Sequence, residues 1–464
     1  MMQLHQLADV VNGQFYNADA HALAMTIYGV SIDSRKDCTG QLFVALNGDR
    51  FDAHDFIDQV EQQGATAAII EKTVDTALPC VLVNNSHHAL SDLSAWWRSQ
   101  FELPVVAITG SVGKTTVKEM LSSIFKITGK GLCTAGNLNN EIGVPLTLLR
   151  LRPDDNYAIV EMGMNHAGEI SRLTQITQPT IALVNNAAAA HLEGLGNVES
   201  VAKAKGEIFS GLAQDGIAVI NLDDSYANLW KKLAGDRRII TFGLNDHADV
   251  TANYSSSKSG LEIRIKSEQH NFTLSLKLRG QHSVMNVLAS VAVAQAAAIP
   301  IESIAAGLTD YQPLSGRMSL TKVGALTLID DSYNANPASM QAAIAVLAEF
   351  DDTTLIVGDM GELGESCEAE HRKLGAKASK VGIERMLAVG QYAKLAVSEF
   401  NATAQYFAEP TELVDYLTAN PIRTGVILVK GSRSAKMENI VKLITRLESG
   451  NDRGAADKRV GDIS

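Results

Sequence analysis

Cysteine is scarce and dispersed. Cys38, Cys80, Cys133 and Cys367 stand far apart in a chain of 464 residues. They form no CxxC pair and no ligand spacing, which argues against a disulfide scaffold or a thiolate zinc site and leaves four isolated, reduced thiols. Long apolar runs are also missing. The alanine-rich stretch 287–299 comes nearest to a membrane span, but it falls short of the roughly 20 residues such a helix needs and reads as a buried helix. The opening MMQLHQLADVVNG has neither a basic n-region nor an apolar h-region, so no secretory leader is expected. Finally, there is no Lys/Arg block. With 52 acidic against 40 basic residues and a formal charge of -12, a general nucleic-acid surface has no electrostatic support. These absences point away from membrane insertion and nucleic acid and towards a cytoplasmic globular protein whose anionic ligands are small and met locally. The 46% apolar and 20% charged content is that of an ordinary folded chain.

The length favours two to four domains. Over 27–83, short apolar stretches (QLFVAL, ATAAII, CVLV) alternate with helix-compatible segments, as in a small α/β unit. Leu90, Leu93, Trp97 and Phe101 then recur at helical spacing before Pro104, which sets a first boundary and a domain over 1–103. A second unit, 104–312, opens with PVVAIT, continues through a glycine turn into VKEMLSSIFK, and contains the further strand candidates YAIVE, TIALVNN, IAVIN and RIITFG, spaced for helical crossovers in a mainly parallel sheet. Within it LEIRIK and FTLSLKL alternate with period two, predicting an antiparallel edge addition, and helices are expected over 283–298 and 301–309. From 313 a βα rhythm restarts with ALTLIDD, TTLIVGD, RMLAVG and GVILVKG, a Rossmann-like third unit reaching 464. Its polar end, SGNDRGAADKRVGDIS, is expected to fray. The self-contained units favour a monomer.

The segment VVAITGSVGKTT carries the sharpest local chemistry. Gly110 and Gly113 permit a tight turn, the backbone of Ser111, Val112 and Gly113 presents N–H groups to phosphate, Lys114 adds charge, and Thr115 beside Thr116 offers a hydroxyl to magnesium. The loop is a shorter variant of GxxxxGK[ST], since Ile108 stands in the place of the first glycine. Glu161, ending YAIVE, and His191, beyond TIALVNNAAAA, would both lie at carboxyl ends of parallel strands, where open α/β sheets bind ligands. The ordinary alternatives are a turn-capping carboxylate and a solvent-facing imidazole. Lys203 and Lys205 in SVAKAKGEIFSGL would ordinarily be snorkelling surface lysines.

In order along the chain, TGSVGKTT, TAGNLNNEIGVP, EMGMNHAGEI, NNAAAAHLEGLG, AKAKGEIF, LRGQHSVMNVLA, DDSYNANPASM, GDMGELG and VKGSRSAKME resemble the Mur ligase family over 27–437. The resemblance implies a three-domain α/β architecture: a small N-terminal domain for the UDP end of a muramoyl peptide, a central P-loop ATPase domain, and a C-terminal Rossmann-like domain that closes over nucleotide and amine. It implies ATP and magnesium as cofactors, UDP-N-acetylmuramoyl-tripeptide as acyl donor and D-alanyl-D-alanine as amine, with diaminopimelate and lysine both compatible at the third position of the tripeptide. Residue by residue, it assigns Lys114 to phosphate, Thr115, Glu161 and His191 to magnesium, and Lys205 to a metal-side carbamate. Asn286 corresponds to an adenine contact, Asp331 to a ribose contact and Arg317 to a nucleotide phosphate. Ser34 and Arg35 correspond to the donor's diphosphate and Asn137 to its peptide. The competing interpretation of Ser34 and Arg35 is a turn stabilised by DSR; that of Asn137 is an asparagine that satisfies loop backbone. Sister amino-acid-adding ligases, a folylpolyglutamate synthase and an ATP-regulated binding protein are the alternatives at the level of activity, and the UDP-type N-terminal segment disfavours folate.

The implied chemistry suits these residue types. A carboxylate is a poor acyl donor because its leaving group would be oxide. Transfer of a phosphoryl group makes an acyl phosphate, which needs cationic neutralisation of the moving oxygens and in-line placement. The amine must then attack uncharged. His191 suits metal-site organisation better than the role of amine base, because one imidazole nitrogen cannot hold a metal and a proton together.

Overall fold

A computed structural model describes residues 1–48, 51–268 and 270–448. The polar end expected to fray lies outside them. The described residues form three α/β sheets in chain order, with a two-stranded Met2–Gln3/Thr26–Ile27 pair beside the first.

The first sheet runs Gln14–Tyr16, Cys80–Leu82, Ala67–Ile70, Gln41–Val44, Gly29–Ser31, parallel except for its first strand. The helix Ser86–Ser99 leaves this unit and seats Leu90, Leu93 and Trp97 in a core shared with Val105 and Ala107 of the second. Arg98, buried on the same helix, donates to the carbonyls of Thr177 and Gln178 at 3.0 and 3.1 Å.

The second sheet has nine strands, ordered Asn271–Leu276, Gly260–Ser267, Val250–Ser257, Arg238–Phe242, Ile217–Asn221, Ile181–Val184, Val105–Thr109, Ala158–Glu161, Leu132–Cys133. The period-two segments form the expected antiparallel addition at one edge. The helices Gln281–Ala296 and Ile301–Asp310 agree with expectation to within two residues. Val105–Thr109 lies between Ala158–Glu161 and Ile181–Val184, all parallel, so the loops after these three strands open on one edge. The helix Lys114–Phe125 buries Val117, Met120, Leu121, Ile124 and Phe125, each worth roughly 1.5–3 kcal/mol. It lies so close to Ile301–Asp310 that a Cβ on Gly307 would stand 2.4 Å from the Cα of Ile124.

The third sheet runs Ser319–Val323, Leu326–Asp331, Gly425–Lys430, Thr353–Gly358, Arg385–Val389, Thr403–Phe407, with only its first strand antiparallel. No helix of the described residues is long and apolar enough to cross a membrane.

Candidate active site

A cavity of about 830 Å³ lies between the second and third units. Its wall includes Ser111, Val112, Gly113, Lys114, Thr115, Thr116, Asn137, Glu161, His191 and Asn286 from one side and Arg317 and Asp331 from the other. Residues far apart in sequence thus face one space. Gly110 and Lys205 are not part of this wall, and Ser34 and Arg35, in the first unit, are not either.

The loop after Val105–Thr109 is held by asparagines of the neighbouring strand end. Asn186 Oδ1 accepts from the N–H groups of Ser111 and Val112 at 3.1 and 2.9 Å, and the side-chain amides of Asn185 and Asn186 each donate to the Val112 carbonyl at 3.0 Å. Gly113 begins the helix at φ 81°, and a Cβ there would meet Asn286 Oδ1 at 2.4 Å and Asn185 Nδ2 at 2.6 Å. Gly113→Ala therefore combines left-handed backbone with a collision. It is expected to cost about 1–2 kcal/mol of stability and to weaken ATP binding, both readable from unfolding curves with and without nucleotide.

Lys114 Nζ donates to the Gly110 carbonyl at 2.7 Å. Burial pulls its ammonium below the ordinary lysine value, Glu161 opposes that shift, and Arg317 adds to it. Glu161 is 2% exposed, and its two oxygens accept from neutral donors, Thr115 Oγ1 at 2.9 Å and Asn139 Nδ2 at 2.8 Å. A buried carboxylate with no ion-pair partner among the described residues, beside a hydroxyl at the start of a helix, suits a hard cation. No cluster of three His, Cys, Asp or Glu able to hold a metal occurs among the described residues.

His191, at φ 56°, has Nδ1 2.6 Å from Glu362 Oε2, an ion-pair distance without hydrogen-bond alignment. The imidazole holds the Glu362 carboxyl below its ordinary value. Lys205 is 1% exposed and makes no hydrogen bond or ion pair among the described residues. Burial first, then the Lys114 charge, pushes its ammonium well below the usual lysine value. Lys203 is the snorkelling surface lysine, paired with Glu199 at 2.7 Å.

On the facing side, Arg317 stacks on Tyr333 at 4.1 Å, and Asp331 pairs with the buried Lys430 at 2.6 Å while accepting from the Met318 N–H at 3.0 Å. The adjacent Asp330 turns the other way and accepts from Ser315 Oγ and the Gly316 N–H at 3.0 and 2.8 Å, fixing the turn that carries Arg317. Asn137 is exposed on the wall, whereas Asn139 is the asparagine bonded to Glu161. In the first unit, Arg35 Nε and a terminal nitrogen bond Asp33 at 2.8 and 3.0 Å and hold that carboxyl down at about 2. DSR is thus a self-stabilised turn that leaves Arg35 largely exposed.

Asn139, Asn185, Asn186, Asp330, Glu362 and Lys430 were not singled out from sequence. All six lie inside segments that carry the family resemblance, Glu362 in GDMGELG and Lys430 in VKGSRSAKME, but nothing in those segments tells which of their residues meets a partner.

Three family models match the chain in order: "Mur ligase family, catalytic domain" over 26–95, "Mur ligase middle domain" over 108–294 and "Mur ligase, glutamate ligase domain" over 316–433. The UDP-N-acetylmuramoyl-tripeptide--D-alanyl-D-alanine ligase of Escherichia coli K12 is 44% identical over 447 residues, 95% of this chain and 98% of that one. The chain belongs to the Mur ligase family. Among Mur ligases, the protein of the same name from Bacillus subtilis 168 is 32% identical over 94% of this chain and 96% of its own. A crystal structure of MurF from Acinetobacter baumannii superimposes with a TM-score of 0.89 at 34% identity, covering 96% of this chain and 98% of that one. The three-domain Mur ligase architecture expected from sequence is therefore the one present, and membership carries with it the family's use of ATP and magnesium.

Proposed function

We propose that this Mur ligase joins D-alanyl-D-alanine to UDP-N-acetylmuramoyl-tripeptide through an acyl phosphate, releasing ADP and phosphate and forming the pentapeptide precursor of peptidoglycan. The observation that carries the reading is the single cavity in which Lys114, Thr115 and Glu161 face Arg317 and Asp331. The division into 1–103, 104–312 and 313–464 goes with it: donor binding, phosphoryl transfer, and closure with the amine. A reaction fed by ATP and a nucleotide-linked precursor belongs in the cytoplasm.

Lys114 meets the phosphoryl oxygens with a charge that its surroundings hardly hydrate, where electrostatic stabilisation is strongest. Asn286 and Asp331 hold the two ends of the nucleoside and Arg317 a phosphate. Ser34, Arg35 and Asn137 serve the donor. Thr115, Glu161 and His191 would hold magnesium, which when bound neutralises phosphate charge. Lys205 suits a carbamate: its depressed basicity favours the neutral amine, whose lone pair forms the N–C bond to carbon dioxide as a proton leaves Nζ. The product is an anion on the metal side of the site.

Purified protein with ATP and magnesium is expected to release phosphate only when both UDP-N-acetylmuramoyl-tripeptide and D-alanyl-D-alanine are present. Release that depends instead on one free amino acid reassigns the chain to a sister ligase, and nucleotide binding without any amide product returns it to a binding protein.

A further inference from the structure

Among the described residues, a turn of the third unit reaches the phosphate-site residues of the second. Glu362 Oε2 lies 2.6 Å from His191 Nδ1, and the Glu362 carbonyl accepts from the Leu192 N–H at 3.1 Å. Both partners adopt left-handed backbone, His191 at φ 56° and Glu362 at φ 60°, a conformation uncommon for residues that carry a side chain.

The turn is fixed from behind by its own domain. Met360 N–H donates to Nε2 of His371 at 3.0 Å, and the Nδ1–H of that fully buried imidazole donates to the Cys367 carbonyl at 2.7 Å. Asp359 Oδ1 accepts from the N–H groups of Tyr392 and Ala393 at 3.0 and 2.8 Å, and Met360 and Leu363 are buried. Glu362 is thus the tip of a braced arm. Its side chain is 56% exposed, so the contact adds little to stability; what it determines is position. A second tie between the units, Arg279 to Glu349 at 3.4 Å with the guanidinium over Phe350 at 4.7 Å, engages no group of the phosphate site.

We infer that Glu362 is a positioning residue for ligation. Docked on His191 and Leu192, it sets the third unit so that Arg317, Asp331 and Lys430 stand across the cavity from Lys114. The inference rests on the ligase reading above, and its test separates the two.

Glu362→Gln keeps side-chain length and the backbone bond but loses the charge; Glu362→Ala removes the arm's tip. Steady-state kinetics, unfolding midpoint and the small-angle scattering radius with an ATP analogue and tripeptide substrate are measured for both variants and the parent chain. Both variants are expected to lose about 10- to 100-fold in kcat. Their KM for ATP and their unfolding midpoint should stay near those of the parent chain, and their liganded radius should exceed the parent's. Unchanged kcat in both variants overturns the inference, and so does lost kcat with the parent's full compaction. If the parent chain itself forms no amide, the ligase reading fails; if it is active and indifferent to both substitutions, only the role of Glu362 fails.

Discussion

Replacing Lys114 by Met is expected to lower kcat for ligation by about 10³-fold without lowering the unfolding midpoint at neutral pH. The ammonium belongs to the phosphate loop itself, whereas Arg317 stands across the cavity on Tyr333. Its depressed basicity states the energetic side of the same fact. A lysine whose folded value lies below its ordinary 10.5 binds fewer protons folded than unfolded, so it subtracts stability at neutral pH and the deficit shrinks as pH rises towards the lysine range. Met fills the same channel without the desolvation cost, offset in part by the lost bond to the Gly110 carbonyl. The variant's stability advantage should therefore be greatest near neutrality and fade with increasing pH, as read from denaturant unfolding at several pH values. A Met variant within tenfold of parental turnover would sink the assignment of Lys114 to the transferred phosphoryl group.

Most of the fold could be read from sequence wherever one local pattern dominated. Strand, glycine turn and amphipathic helix across 105–125 follow from the unbroken apolar run 105–108 and from the helical stripe after Lys114. The alternating strands of the antiparallel ribbon were equally plain, because one face is buried and the other wet. Ser319–Val323 and Thr403–Phe407 were passed over for the complementary reason: both are edge strands with mostly exposed residues, paired on one side only, so neither carries an apolar run or a clean alternation. The site divides along a similar line. Lys114, Thr115 and Glu161 are marked by motif and by strand-end position, whereas Asn139, Asn186 and Glu362 acquire meaning only through partners that the fold brings from other elements. Asp330 and Asp331 show how fine that limit is: adjacent aspartates on one strand point to opposite sides, one fixing the turn before Arg317 and the other facing Lys430 and the cavity.

Exchange of Lys205 for Ala is expected to reduce turnover by about 10²-fold or more, with no recovery on adding bicarbonate, while the parent chain loses activity on carbon dioxide removal and regains it when bicarbonate is restored. Lys205 is a buried amine that makes no hydrogen bond or ion pair among the described residues, close enough to Lys114 for the two charges to disfavour each other. As an ammonium it is a buried, unpaired charge, the costliest state available to it. As a neutral amine it has the lone pair that carbon dioxide requires. As a carbamate it reverses sign, so the neighbouring Lys114 turns from a repelling into an attracting charge and the metal side of the site gains an oxygen donor. Isotopically labelled bicarbonate should then give a carbamate carbon resonance in the parent chain that the Ala variant lacks. If the variant turned over near the parental rate, or if the parent chain showed no such resonance, the carbamate assignment of Lys205 would fall.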